Sequence, residues 1–167
     1  MNKINIKYFK TPVGELILGS YGNKLCLANW SDKKKSDRTN NRLKKGLNAE
    51  FVEGSSEIIE ETIEQLEEYF KGKRQHFDIP LLMVGTGFQK SVWNALLQIP
   101  FGKTASYLDL AKNIKNEKAV RAVANANGAN AISILIPCHR IIGSDGSLTG
   151  YAGGLDAKQK LLELEKS

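Results

Sequence analysis

Cys138 and His139 stand side by side in SILIPCHRIIG (133–143), between Pro137 and Arg140 and at the end of an apolar run. A thiol attacks as its thiolate, and a free cysteine, with a pKa of about 8.5, is only a few per cent ionised at neutral pH. A neighbouring base or a positive field raises that fraction. A histidine used as the base needs a partner on its other ring nitrogen to fix the tautomer. Glu163 and Glu165, near the C-terminus, are both candidates. AISILIP (131–137) reads as an extended apolar segment stiffened by Pro137, and neighbours on a strand point to opposite faces. On that reading, a water relays the proton from Cys138 to His139.

The remaining elements must hold this pair in place. Residues 3–9 alternate Ile4, Ile6 and Tyr8 with polar side chains, the pattern of a half-buried strand. ELILGS (15–20) and KLCLANW (24–30) flank the turn Tyr21-Gly22-Asn23 and predict a hairpin in which Cys26 is a small core residue. Residues 31–50, rich in Lys, Asp and Asn, predict a mobile loop or a loose helix. EIIEETIEQLEEYFKG (57–72) is a helix with Ile58, Ile59, Thr62, Ile63, Leu66, Tyr69 and Phe70 on one face and a stop at Gly72.

Texture changes over 80–87. Thr86-Gly87-Phe88-Gln89 fits a capping box opening a helix that ends at Pro100, with Phe88, Val92, Trp93, Leu96 and Leu97 inward. A second helix from about Ser106 offers Leu108, Leu110, Ala111 and Ile114 for packing. After a break at Lys115-Asn116, a third covers 117–127. Two short helices joined by a tight turn predict a helix-turn-helix. Ala119, Ala122, Ala124 and Ala126 strip the third helix of bulk, so its backbone can approach another surface, while Arg121 projects. Asp145-Gly146 marks a turn, and a last helix over 156–165 turns Leu161 and Leu162 inward. The expected class is α/β (α+β) with two domains, 1–82 and 83–167.

Bulk properties narrow the classes. A chain of 167 residues, 41% of them hydrophobic, can build a packed core. The net charge is +6, and residues 86–167 carry ten Lys and Arg against six Asp and Glu, a balance that suits a polyanion such as DNA. Two cysteines cannot make a disulfide framework, and their spacings with His76 and His139 are not those of a zinc site. No apolar run reaches the roughly 18 residues of a membrane span, and MNKINIKYF lacks the apolar core of a signal peptide. A cytoplasmic, reducing location is expected, with neither metal nor membrane as partner.

IPCHRIIG, followed by GYAGG (150–154) and LLELE (161–165), resembles the active-site signature of the O6-alkylguanine-DNA alkyltransferases. The resemblance runs back through FQKSVWNALLQIPFGKTASY (88–107) and KAVRAVANANGAN (118–130), from Phe88 to Glu165. It implies a ribonuclease-H-like N-terminal domain and a mostly helical, winged-helix-like C-terminal domain. It also implies DNA repair by direct reversal. Cys138 would accept the alkyl group of O6-alkylguanine once and irreversibly, with O4-alkylthymine as a candidate second substrate and no cofactor. By the same resemblance His139 deprotonates Cys138, Glu165 rather than Glu163 orients His139, and Asn130 joins helix to active-site segment. Tyr107 protonates the base beside a crowded phosphate. Arg121 enters the duplex from the minor groove in place of a flipped nucleotide, with Ala122, Ala126 and Arg140 also on the DNA side. Tyr151, Ile141, Ala152, Ser133 and Asn127 line the base pocket. The protein would act as a monomer on double-stranded DNA.

The chain departs from many members at Ala131, where they have proline, and at Ser133 and Ala152, where some have proline and serine. Three rival readings differ in chemistry. A damage binder of the same fold lacks the cysteine. A helix-turn-helix regulator reads major-groove edges with polar side chains, which the alanine-rich helix scarcely offers. A Cys-His-Glu hydrolase turns over repeatedly.

Overall fold

Strands β1 (Asn2–Thr11), β2 (Gly14–Tyr21) and β3 (Lys24–Trp30) form an antiparallel meander, and β4 (Ala49–Glu53) joins it parallel to β1, giving the order β3-β2-β1-β4. This computed structural model describes residues 2–31 and 36–166. The chain divides into two units, Met1–Gly85 and Thr86–Ser167.

In the first unit, β2 is central, and Leu16 through Ser20 are all buried, as expected of a strand covered on both faces. Gly19 lies at a bulge where a Cβ would come within 2.9 Å of the Leu27 Cβ, so a larger side chain would push β2 and β3 apart. Cys26 is buried on β3, and burial pushes its thiol up to about 12, as for an inert core residue. Residues 80–82 run along the other edge of β3, where Leu25 N–H donates to the Pro80 carbonyl (2.9 Å) and Leu82 N–H to the Leu25 carbonyl (2.8 Å).

The segment 31–50 differs from its expectation. Residues 32–35 lie outside the described residues, but Ser36–Leu47 is a regular helix, α1, and Ala49 begins β4. Its polar composition concealed a narrow apolar contact, Thr39 and Leu43 one turn apart, which α1 buries. A parallel partner for β1 needs a crossover of this kind. Helix α2 (Glu57–Phe70) starts at Ser56, whose hydroxyl accepts from Ile59 N–H, and buries Ile59, Thr62, Leu66 and Tyr69. Beyond its C-terminal end Gly72 takes φ +74°, the left-handed stop that glycine supplies cheaply.

The second unit is mainly helical: α3 (Gly87–Leu96), α4 (Tyr107–Asn113), α5 (Val120–Gly128) and α6 (Leu155–Lys166). The capping box at Thr86 and Gln89 is formed, and Ser106 and Asp109 make another at α4. Val92, Trp93 and Leu96 are buried, but Leu97 and Leu108, expected inward, are each 38% exposed. Lys115 reverses the chain at φ 59° between α4 and α5. Trp93 Nε1 donates to the Ala126 carbonyl (2.8 Å), fixing α3 against α5. Strands β5 (Ala105–Ser106) and β6 (Ile141–Ile142) pair in parallel, tying the start of α4 to the chain just after Cys138.

Candidate active site

The apolar run before Cys138 is not extended. Residues 131–137 form tight turns, with Ile136 N–H donating to the Ile132 carbonyl (3.0 Å) and Ile134 at φ 72°. A β-branched residue in that region costs about 1–3 kcal/mol and persists only where its surroundings impose it. Asn130 imposes it here. Its Oδ1 accepts from Ile132 N–H (3.0 Å), and its Nδ2 donates to the Ile136 carbonyl (2.9 Å). The asparagine side chain thus replaces the strand ladder that the sequence pattern suggested.

Cys138, His139 and Arg140 form one turn of 3₁₀ helix, in which Arg140 N–H donates to the Pro137 carbonyl (3.0 Å). Successive side chains therefore diverge by about 120°, not the 180° of a strand. All three are buried. Helix α6 packs against this turn and brings Glu165 to it.

Glu165 is buried and engages both cation-forming neighbours. Its Oε2 lies 2.7 Å from His139 Nε2 and 3.0 Å from Arg140 Nη2, and its Oε1 lies 2.8 Å from Arg140 Nε. Arg140 also donates through Nη1 to the Ile99 carbonyl (2.7 Å). Burial holds His139 below the usual imidazole range, against the raising effect of Glu165. Arg140, rather than His139, therefore balances the charge of Glu165. A neutral His139 donating from Nε2 keeps its lone pair on Nδ1, a buried atom with no hydrogen-bond partner in the protein. That nitrogen can accept a proton.

Arg140 was expected on the DNA side. It is instead an internal counter-ion, with all three guanidinium nitrogens hydrogen-bonded inside the protein and a side chain only 8% exposed. Glu163 is exposed and receives Gln159 Nε2 at 3.0 Å, away from the cluster.

Burial pushes the Cys138 thiol up. The side chain of Asn130, the charge of Lys158, the Cys138 backbone and the Ser133 hydroxyl act in the opposite direction. Lys158, fully buried on α6, is the residue that sequence reasoning missed. Its one signal was its place seven residues, two helical turns, before Glu165.

The other expected site residues fall in two groups. Tyr107, the first residue of α4, shares a 2.9 Å hydrogen bond with Thr149 Oγ1. Tyr151 and Ala152 are partly exposed, whereas Ser133, Ile141 and Asn127 are buried. On α5, Arg121 and Ala122 are exposed, together with Asn125 and Gly128 one and two turns on. Ala126, expected to face DNA, is buried (3% exposed), because the Trp93 contact turns that side of α5 into the core. Asn125 and Gly128 take its place on the outer face, as their helical spacing from Arg121 could have indicated. Among the described residues, no group of His, Cys, Asp and Glu side chains could hold a metal ion, and no helix is long and apolar enough to cross a membrane.

Comparisons with known proteins follow the same division. Residues 87–167 match the family described as 6-O-methylguanine DNA methyltransferase, DNA binding domain, and residues 4–83 match its ribonuclease-like domain. A methylated-DNA–protein-cysteine methyltransferase of Methanosarcina acetivorans is 46% identical over 159 residues, covering 95% of this chain and 96% of that protein. An inducible methyltransferase of the same description from Bacillus subtilis is 53% identical over 102 residues, covering 61% of this chain and 57% of its own. The crystal structure of Mycobacterium tuberculosis OGT in complex with DNA superposes with a TM-score of 0.82 at 38% identity, covering 98% of this chain and 92% of that one.

Proposed function

The chain belongs to the 6-O-methylguanine DNA methyltransferase family, and from that membership we propose a direct-reversal DNA repair protein whose alkyl acceptor is Cys138. It binds DNA and transfers an alkyl group from it to one of its own cysteines. The observation that carries the assignment of Cys138 is its turn: the adjacent His139 is buried, donates to Glu165 at 2.7 Å, and keeps a ring nitrogen open to a proton. Cys26, the other cysteine, is buried on β3, and burial, outweighing its backbone hydrogen bond, pushes its thiol up to about 12.

In the proposed reaction His139 takes the thiol proton, directly or across a water. The Cys138 sulfur attacks the alkyl carbon, forming a C–S bond as the C–O6 bond breaks. The electron pair passes to guanine, which gains a proton from the Tyr107 hydroxyl. Solvent carries the proton from His139 back to the Tyr107 oxygen, so the net products are a thioether and guanine. A thioether sulfur is a poor leaving group, so each molecule acts once. The lesion lies inside the base stack, and extruding it costs a few kcal/mol. Arg121, exposed at the start of α5, is suited to fill the gap from the minor groove, with Ala122, Asn125 and Gly128 allowing close approach. Tyr151 and Ala152 would border the base. A monomer in a reducing cytoplasm fits a mechanism that needs a free thiol and no second subunit.

Intact-mass measurement after incubation with an O6-methylguanine oligonucleotide tests this reading. One methyl group should appear per chain, on the peptide containing Cys138. Methylation elsewhere, or repair of many lesions per chain, would overturn it.

A further inference from the structure

The chain after Cys138 meets the start of α4 twice. It first pairs with β5: Ile141, three residues after Cys138, lies opposite Ala105, and Ile142 opposite Ser106. It then reverses through a tight turn, in which Gly143 N–H donates to the Ser147 carbonyl (2.9 Å) and Ser147 N–H to Asp145 Oδ1 (3.0 Å). Gly146 supplies the corner at φ +85°. Just beyond the turn, Thr149 Oγ1 lies 2.9 Å from the Tyr107 hydroxyl. Both residues are half-buried. Among the described residues, neither hydroxyl has another hydrogen-bond partner. The backbone of Thr149 is held as well, because Lys158, fully buried on α6, donates from Nζ to its carbonyl (3.2 Å).

Either hydroxyl can donate to the other. If Tyr107 donates, its proton is spent on Thr149. If Thr149 donates, the phenolic proton stays free for the base, and the phenol oxygen still has a donor after that proton leaves. A hydrogen bond to an ionised oxygen is roughly twice as strong as one between neutral groups. The second arrangement therefore strengthens as the proton moves, which is the kind of contact that accelerates a reaction. We infer that Thr149 is a positioning residue for the transfer: its hydroxyl donates to the Tyr107 oxygen, turns the phenolic proton toward guanine and stabilises the phenolate left behind. The inference rests on Tyr107 being the proton donor of the proposed reaction. The C–O6 electron pair passes to guanine and the Tyr107 proton follows it. The negative charge then rests on the phenol oxygen, facing the Thr149 hydroxyl, until solvent returns the proton taken up by His139.

Such a role leaves a signature that a packing role does not. Two alkylations of Cys138 are compared, each resolved by peptide mass. Methyl uptake from an O6-methylguanine oligonucleotide, under single-turnover conditions with DNA saturating, needs a protonated leaving group. Alkylation by iodoacetamide does not, because iodide leaves as the anion. The chains are the intact one, Thr149→Val, Thr149→Ser, Tyr107→Phe and the double variant Tyr107→Phe with Thr149→Val. Valine keeps the side-chain shape and the carbonyl that takes Lys158, and removes only the hydroxyl. Thr149→Val should take up methyl about threefold to thirtyfold more slowly than the intact chain. It should react with iodoacetamide at the intact rate. Thr149→Ser, which restores the hydroxyl, should recover most of the methyl rate. In the Tyr107→Phe background Thr149→Val should cost less than about twofold more, because the two hydroxyls act as a unit. A valine variant slowed equally with both reagents, a serine variant that recovers nothing, or the full loss in the Tyr107→Phe background would overturn the inference. Thr149→Ala makes the same comparison if the valine variant does not fold. A slow Tyr107→Phe beside a normal Thr149→Val would overturn the role of Thr149 alone, whereas a normal Tyr107→Phe would overturn the proton donor and Thr149 with it. An intact chain that reacts with iodoacetamide but takes up no methyl would refute the repair reading itself, and the inference with it.

Discussion

Glu165 accepts from two side chains, and its two duties can be separated by substitution. Glu165→Gln removes the orienting partner of His139 and also leaves Arg140 buried without a counter-ion. Breaking a buried pair in this way costs about 3–5 kcal/mol. The variant should therefore melt lower and transfer alkyl groups slowly, whereas Glu163→Gln, at an exposed position, should do neither. A thermal melt and a single-turnover rate on each variant decide this, and a slow Glu163→Gln would sink the assignment of Glu165. The pH dependence follows from His139. Its folded pKa lies below the ordinary 6.5 because burial disfavours the charged ring. Between the two values the unfolded chain binds a proton that the folded chain does not, so stability falls as pH drops through that window and is fully regained above it. Transfer should likewise persist to lower pH than a free imidazole would allow. A rate profile with its acid limb at or above the free-imidazole value would contradict this.

Helix α5 carries two different faces within nine residues. Arg121 and Ala122 are exposed, while Val123, Ala126 and Asn127 are buried. Ala126→Leu should destabilise the fold by about 1–3 kcal/mol through overpacking beside Trp93. Ala122→Leu should leave the melt unchanged and weaken binding to duplex DNA, because it adds bulk only to the outer face. Arg121→Ala should slow repair of alkylated double-stranded DNA but retain most of its rate on free O6-benzylguanine, which needs no extrusion from a stack. Equal losses on both substrates would assign Arg121 to the pocket rather than to the duplex.

For the molecule as a whole, the balance of ten basic against six acidic residues in 86–167 predicts DNA affinity that falls steeply with salt, as phosphate contacts release counterions. Cys138→Ala should bind duplex DNA with the same salt slope as the intact chain while taking up no alkyl group. A binding measurement at two or more salt concentrations checks both. A salt-independent affinity would mean that the basic surplus only aids solubility.

The sequence by itself determined the reactive pair, the helix caps at Thr86 and Ser106, the hairpin of β2 and β3 and the small-residue face of α5. Each of these depends on neighbours within a few positions, where side-chain type and backbone geometry are directly coupled. Tertiary structure decided the rest. Local hydrophobicity made 131–137 look extended, but Asn130 captures its backbone groups and folds it into turns. Arg140 was expected on the DNA side, but Glu165, 25 residues away, takes it inside. Ala126 looked like an open surface until Trp93 covered it, and β4 had no strand signal until β1 offered it a parallel edge. Lys158 shows the same limit most plainly: nothing in its local sequence says that this lysine, among the many on the surface, is the one buried on α6. Burial is decided by which elements pack together, here α6 against the cysteine turn, and no local pattern of residues announces it.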